Sequence, residues 1–364
     1  MNSNLLPSTH SQPVGRLFVL DLLKAISITA VVSFHATFVP QSTYASSASL
    51  IDVLFAPLRF CVPVFLTISF LLLERGLANR PNEPAWSLIR KRLIRLAIPT
   101  TFWFSLAAAL KLLKGAPMTQ LLSEIATGEI FTGAYYLLIM FQLIPLYIWS
   151  RHWLNRSKNI LITILVQGAV FILIEAALLG LVKLPLISIL RTLDRPLFLY
   201  WFVYIALGIL IYKKLPLIVR ISAHVSIHLK ALLILITSAA LAAEYRFLSF
   251  ATQNSVPPFD YLMFSCILTV LVAFLCFASV DEKQVPLPLR NAIALLSRYS
   301  LGIFCINGIV RQIFLSFGSR LFAEATFSFA EILGMKLVGW GLLLAISLGL
   351  SVLIGKLGGK AIVC

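Results

Sequence analysis

The sequence predicts an all-α fold: a polytopic membrane helix bundle of about ten transmembrane helices, with both termini cytoplasmic. Three observations point there. First, 60% of the 364 residues are hydrophobic and 12% are charged, with a mean hydropathy of +0.95. A soluble domain carries about 25% charged residues. Second, apolar stretches near the roughly 20 residues needed to cross a bilayer recur at 17–39, 51–73, 95–112, 133–150, 159–180, 197–213, 229–248, 259–280, 292–316 and 333–355. Third, if the N-terminus is inside, alternation of these stretches places nineteen of the 30 Lys and Arg residues on inner segments and nine on outer ones. Lys24 and Arg59 are left within spans. Such a bias is the positive-inside signature. It also accounts for the net charge of +16 without nucleic acid, because the basic residues alternate with apolar spans and form no single basic face.

The predicted domain organisation is a cytoplasmic tail at 1–16, one transmembrane domain at 17–355 and a cytoplasmic tail at 356–364. The first span carries Asp21 and Lys24 and has no small-residue cleavage site, so it reads as a retained helix and not a signal peptide. The five cysteines show no CxxC spacing, so neither a disulfide framework nor a metal site is expected.

The first span holds the strongest chemical signal: Asp21, Lys24 and, at its end, His35. Asp or Lys costs about +2.5 to +3.5 kcal/mol at the centre of a membrane helix, and such residues mark functional sites. Asp21 and Lys24 are three apart and share a face. Lys24 and His35 are eleven apart, about three turns, which puts them about 16 Å apart along one stripe. His35 is the candidate general base, since imidazole titrates near neutral pH.

The second span contains Arg59, which needs a counter-charge or an aqueous cavity. Pro63 within the same span is expected to kink it and free a carbonyl. Thr67 and Ser69 follow, placed to satisfy freed groups or touch a ligand. The loop from Glu74 to Arg95 carries Arg90, Lys91, Arg92 and Arg95. Arg92 and Arg95 share a helix face, and guanidinium forks suit phosphate. The fourth span opens with Tyr135 and Tyr136, residues typical of an aromatic belt, and holds Gln142 at mid-depth. The ninth carries Asn307, expected to hydrogen-bond across helices.

Taken in order, these residues resemble the membrane acyltransferase-3 family, which includes bacterial O-antigen and exopolysaccharide O-acetyltransferases. The resemblance covers Leu20 to about Tyr147 and returns near 297–308. It rests on Lys24 with His35 after ten intervening residues, where the family has a basic residue, ten residues and His. It rests also on Pro63-Val-Phe65-Leu-Thr-Ile-Ser69-Phe70, on Arg92-Leu-Ile-Arg95, and on Ser300-Leu-Gly-Ile-Phe-Cys-Ile-Asn307. The chain has Lys where Arg is usual at 24, Phe in place of Gly at 70, and Asn in place of His at 307.

The resemblance implies transfer of an acyl group, usually acetyl, from cytoplasmic acyl-CoA to a hydroxyl of a cell-surface or lipid-linked glycan. The implied seat is the bacterial inner membrane. It implies catalytic roles for His35, Asp21, Lys24 and Ser69, the last as a carrier if an acyl-enzyme forms. Arg90, Arg92 and Arg95 would bind acyl-CoA. Arg59, Tyr136, Gln142 and Asn307 would be further polar positions in the bundle. Acyl-CoA would be the donor substrate, with no permanently bound cofactor. Expected partners are the donor, the glycan and membrane lipid, with a homo-oligomer left open and no nucleic acid. A transporter or flippase of an anionic lipid or glycan, and a non-catalytic partner in a polysaccharide-export assembly, remain alternatives on the sequence alone.

Overall fold

The computed structural model describes residues 17–193 and 195–364, so the predicted tail at 1–16 lies outside the described residues. Among the described residues every regular element is a helix. In chain order these are α1 (Phe18–Phe34), α2 (Ala45–Phe55), α3 (Cys61–Ala78), α4 (Ala85–Leu113), α5 (Met118–Thr127), α6 (Tyr135–Leu154), α7 (Ser157–Leu178), α8 (Leu186–Leu193), α9 (Phe202–His224), α10 (Ile227–Ala251), α11 (Phe264–Phe277), α12 (Leu287–Arg298), α13 (Ser300–Leu321), α14 (Phe329–Lys356) and α15 (Lys360–Val363). Local chemistry sets many of these starts. Pro84, Pro117 and Pro286 stand at the N-caps of α4, α5 and α12, where the missing amide costs nothing. Ser328 and Glu331 form a reciprocal capping box at the start of α14.

Seven of the described helical segments are long and apolar enough to cross a membrane: Gln41–Ala78 as one unit, α4, α7, α9, α10, α13 and α14. A helix also lies within each of the other three predicted spans. α1 has 17 residues and α11 has 14, while α6 carries Gln142, Arg151 and His152 among its apolar residues.

Two predicted spans are broken. The second is interrupted by a 3-10 turn at Ala56–Phe60 before α3 begins. Pro63 therefore lies in the first turn of α3, where no intrahelical hydrogen bond is lost, and not at an internal kink. The ninth is interrupted at Tyr299 (φ −97°, ψ 13°), so its beginning is the separate helix α12. The predicted C-terminal tail folds back onto the bundle. Val363 is buried, and Trp103 Nε1 donates to the Ile362 carbonyl at 2.8 Å.

α1 occupies the middle of the bundle, packed on α3, α12, α13 and α14. Helices in lipid gain little from the hydrophobic effect against one another and rely on close packing. Two glycines permit it here. A Cβ on Gly208 of α9 would meet the Thr67 carbonyl of α3 at 2.9 Å, and one on Gly308 of α13 would meet the Thr132 carbonyl at 2.4 Å. The second contact holds the 131–133 segment against α13, and this segment forms part of the site.

Candidate active site

Two cavities lie back to back inside the bundle, and Val62 and Phe304 line both. The Phe304 ring packs on Tyr136 with centroids 5.4 Å apart, and Tyr136 in turn on Phe65 at 6.4 Å. Val62 and Phe304 thus form an apolar septum at which the two polar chambers adjoin.

The first chamber, about 210 Å³, gathers at the end of α1. α1 stops at His35, whose backbone N–H reaches the Val31 carbonyl at 3.3 Å. The orphan carbonyls of a helix end need partners. Lys336 of α14 supplies one: its Nζ donates to the Phe34 carbonyl at 2.9 Å and to Thr37 Oγ1 at 3.2 Å. A cation at a helix C-terminus also complements the macrodipole. This capping fixes His35, whose ring rests edge-on against Phe34 at 5.5 Å. Among the described residues the ring nitrogens have no hydrogen-bond partner, and the residue lines the chamber.

Three guanidinium groups share that chamber. Arg59 Nη1 bonds Asp260 Oδ2 at 2.7 Å, and Arg195 Nε bonds Asp260 Oδ1 at 2.9 Å. Arg59 also sits over the rings of Phe34 and Tyr245, at 4.7 and 4.4 Å. Its sequence requirement for a counter-charge and a cavity is met by both. Arg311 is the third, donating to Thr132 Oγ1 at 3.2 Å. Tyr135 donates to the Tyr261 hydroxyl at 2.9 Å on the same wall.

The second chamber, about 530 Å³, is basic. It falls within the roughly 300–1,000 Å³ of ordinary ligand pockets. Lys24 of α1, Arg80 of the following loop, and Lys91, Arg92 and Arg95 of α4 line it, with no acidic residue among its walls. Ser69, Tyr136, Ser300 and Cys364 complete the polar lining. Glu83 anchors the rim, accepting from Lys91 and, at 3.2 Å, from Arg80. Hydrogen bonds from Lys91, Ser87 and Arg80 hold its carboxyl down at about 2, so it stays ionised. The Ser69 hydroxyl donates to the Phe65 carbonyl at 2.8 Å.

Of the residues singled out from sequence, Lys24, Ser69, Arg92, Arg95 and Tyr136 meet in the basic chamber, while His35 and Arg59 meet in the other. Asp21 accepts from the Ser297 hydroxyl of α12 and lines neither chamber. Arg90 is exposed and faces away. Gln142 is engaged structurally: its amide donates to the Pro196 carbonyl at 2.8 Å and accepts from Phe198 N at 3.2 Å. Asn307 does not bond across helices as expected. Its Nδ2 donates to the Ile303 and Phe304 carbonyls of its own helix, at 3.0 and 2.6 Å.

Sequence reasoning missed Asp260, Arg195, Arg311, Lys336, Arg80 and Cys364. Asp260 was the most legible of these: an acidic residue at the start of an apolar run is the signal that singled out Asp21. Arg195, Arg311 and Lys336 read as ordinary outer-loop charges because nothing local distinguishes a cation that faces or backs a chamber from one that faces water.

Fold and site together define an integral membrane protein in which two polar chambers meet within a helix bundle. The chain belongs to the acyltransferase-3 family: residues 18–356 match its family model, described as an acyltransferase domain. It is thus a membrane acyltransferase. No curated protein and no solved structure matches the chain.

Proposed function

We propose that the protein transfers an acyl group, most simply acetyl, from coenzyme A to a hydroxyl of a cell-envelope glycan. The observation that carries this reading is the pair of chambers sharing Val62 and Phe304, one basic and one holding a histidine with unengaged ring nitrogens. In this reading the protein lies in the cytoplasmic membrane of a bacterium with the basic chamber on the cytoplasmic side, the orientation favoured by the positive-inside bias.

Lys91, Arg92 and Arg95, with Arg80 at the rim, hold the phosphates of the donor. Charge-assisted bonds from guanidinium to phosphate are roughly twice as strong as neutral ones. Lys24 lies deeper and meets the thioester arm, with Asp21 and Ser297 holding that stretch of α1 in place. The thioester reaches the septum. Between Val62 and Phe304 the acceptor hydroxyl, entering from the histidine chamber, meets the thioester, gives its proton to His35, and its oxygen attacks the thioester carbonyl carbon. Collapse of the tetrahedral intermediate breaks the C–S bond. The coenzyme A thiolate leaves and takes the proton back from the imidazolium, so that an ester and a free thiol result. This direct route leaves Ser69 as a wall residue on the donor side. An acyl-serine would instead appear as stable radiolabel on the wild-type protein that Ser69→Ala lacks.

The donor site is tested by kinetics on the purified protein. Arg92→Ala with Arg95→Ala raises the KM for acetyl-CoA by about tenfold or more, given about 1.5–3 kcal/mol for a hydrogen bond to a charged group. Arg90→Ala, off the chamber, leaves KM unchanged. An unaltered KM in the double variant rejects the phosphate role.

A further inference from the structure

We propose that the histidine chamber takes an acceptor bearing an oxyanion, a carboxylate or a phosphate ester, seated on Arg311 and Thr132. This inference rests on the acyl-transfer reading for its role but on charge and geometry for its chemistry.

The chamber wall carries the guanidiniums of Arg59, Arg195 and Arg311 and one carboxylate, Asp260. Both Asp260 oxygens are taken, one by Arg59 and one by Arg195. Arg311 has no carboxylate within ion-pair distance among the described residues. Its hydrogen bond to Thr132 uses one donor, and its Nε is buried with no partner. Guanidinium carries five N–H donors in a rigid fork, so most of that fork is unspent. Beside the half-buried Arg311, Lys336 adds a buried cation behind His35, held by the Phe34 carbonyl and the Phe55 ring, with no carboxylate in ion-pair range among the described residues. Asp52 and Tyr44 lie in the same region but beyond ion-pair and hydrogen-bond distance of Arg311.

A buried cation left without a counter-charge is costly, and the cost is offset when a ligand brings one. A neutral sugar hydroxyl could accept from Arg311 but would leave the charge uncompensated. A planar or tetrahedral oxyanion takes the fork in a bidentate grip. Since Arg311 and His35 line the same chamber, such a grip fixes the acceptor while a hydroxyl of the same molecule meets the imidazole. Arg311 is therefore a specificity residue for the acceptor, distinct from the base.

The test compares three acceptor probes on one framework: a hexuronate-containing oligosaccharide, its carboxyl-reduced neutral form, and the 6-phosphate ester of that reduced form. Each is given to the detergent-purified protein with radiolabelled acetyl-CoA. The wild type prefers one or both anionic probes by about tenfold or more in kcat/KM, one charge-assisted contact's worth. The better of the two names the source of the oxyanion. In Arg311→Gln and in Thr132→Val the preference shrinks, chiefly because KM rises more for the anionic probes than for the neutral one. Arg311→Lys, which keeps the charge but loses the fork, retains part of it. Equal use of neutral and anionic probes by the wild type overturns the proposal, as does an equal fall on all three probes in Arg311→Gln.

A binding arm separates this inference from the transfer reading. In the Arg92→Ala with Arg95→Ala background, where the donor's phosphate site is removed, glucuronate or inorganic phosphate, and not glucose, raises the thermal midpoint, and adding Arg311→Gln abolishes that shift. If that shift occurs while no probe is acetylated, the anion site stands and the transfer reading falls. If neither anion shifts the midpoint in that background, the anion site falls whatever the transferase assay gives.

Discussion

His35→Ala abolishes acyl transfer, with a loss of about 10²- to 10⁴-fold in kcat, the range that general acid–base catalysis contributes. The expectation follows from placement. His35 closes α1, is capped in position by Lys336 of α14, and presents ring nitrogens that no described protein group engages. A structural histidine in an apolar bundle would be hydrogen-bonded, because an unpaired buried polar group costs about 1–3 kcal/mol. The same variant leaves the KM for acetyl-CoA within about twofold, since the donor's basic chamber lies across the septum and interactions made only in the transition state appear in kcat. Thermal unfolding in detergent shows little change, because the side chain makes no hydrogen bond with described residues. Transfer at the wild-type rate by a folded His35→Ala protein removes His35 from the reaction.

Asp260→Asn destabilises the bundle by about 3–5 kcal/mol, the cost of removing one partner from a buried ion pair. Asp260 is 3% exposed and is gripped by Arg59 and Arg195 from two different segments of the chain. Substitution leaves Arg59, 6% exposed, with the faces of Phe34 and Tyr245 and no carboxylate. A stability margin of about 5–15 kcal/mol is typical of folded proteins, so yield and thermal midpoint both fall visibly. Arg59→Met alone also destabilises. The double variant is less destabilised than the sum of the two, because both remove the same interaction and contacting residues do not add. Strict additivity of the two midpoint losses would show that the pair is not coupled. Activity falls with stability in Asp260→Asn, and partial recovery of stability in the double variant separates folding from chemistry.

Much of the architecture was legible because apolar length and period are local properties. Each predicted span contains a helix, and Lys24, His35, Arg92 and Arg95 fall on the walls of chambers. What was not legible depends on partners far along the chain. Arg59 announced a need for a counter-charge, yet Asp260, which supplies it, lies 201 residues away. The breaks at Ala56–Phe60 and at Tyr299 coincide with short interruptions, Pro57 and Arg59 in one and Ser297, Arg298 and Ser300 in the other, too brief to divide an otherwise apolar span. Asn307 turned inward to its own carbonyls, an alternative that short polar side chains offer in any helix. Gln142 read as a site residue because a mid-span amide is costly, and it proved to fasten the 196–198 segment. Arg311 carried no signal at all: only the fold shows that Asp260 is already fully occupied and that a third guanidinium faces the same space.

Sealed proteoliposomes test most directly whether donor and acceptor meet from opposite sides of the Val62–Phe304 septum. The exposed Cys364, which lines the basic chamber, reports orientation through labelling with an impermeant maleimide. Radiolabelled acetyl-CoA is enclosed on the Cys364 side, and a glycan that accepts acetyl in detergent is supplied on the other side only. Label on the far-side glycan, lost in His35→Ala, is the expected result. Label that appears only when donor and acceptor share one compartment would contradict a two-chamber transfer across the bundle.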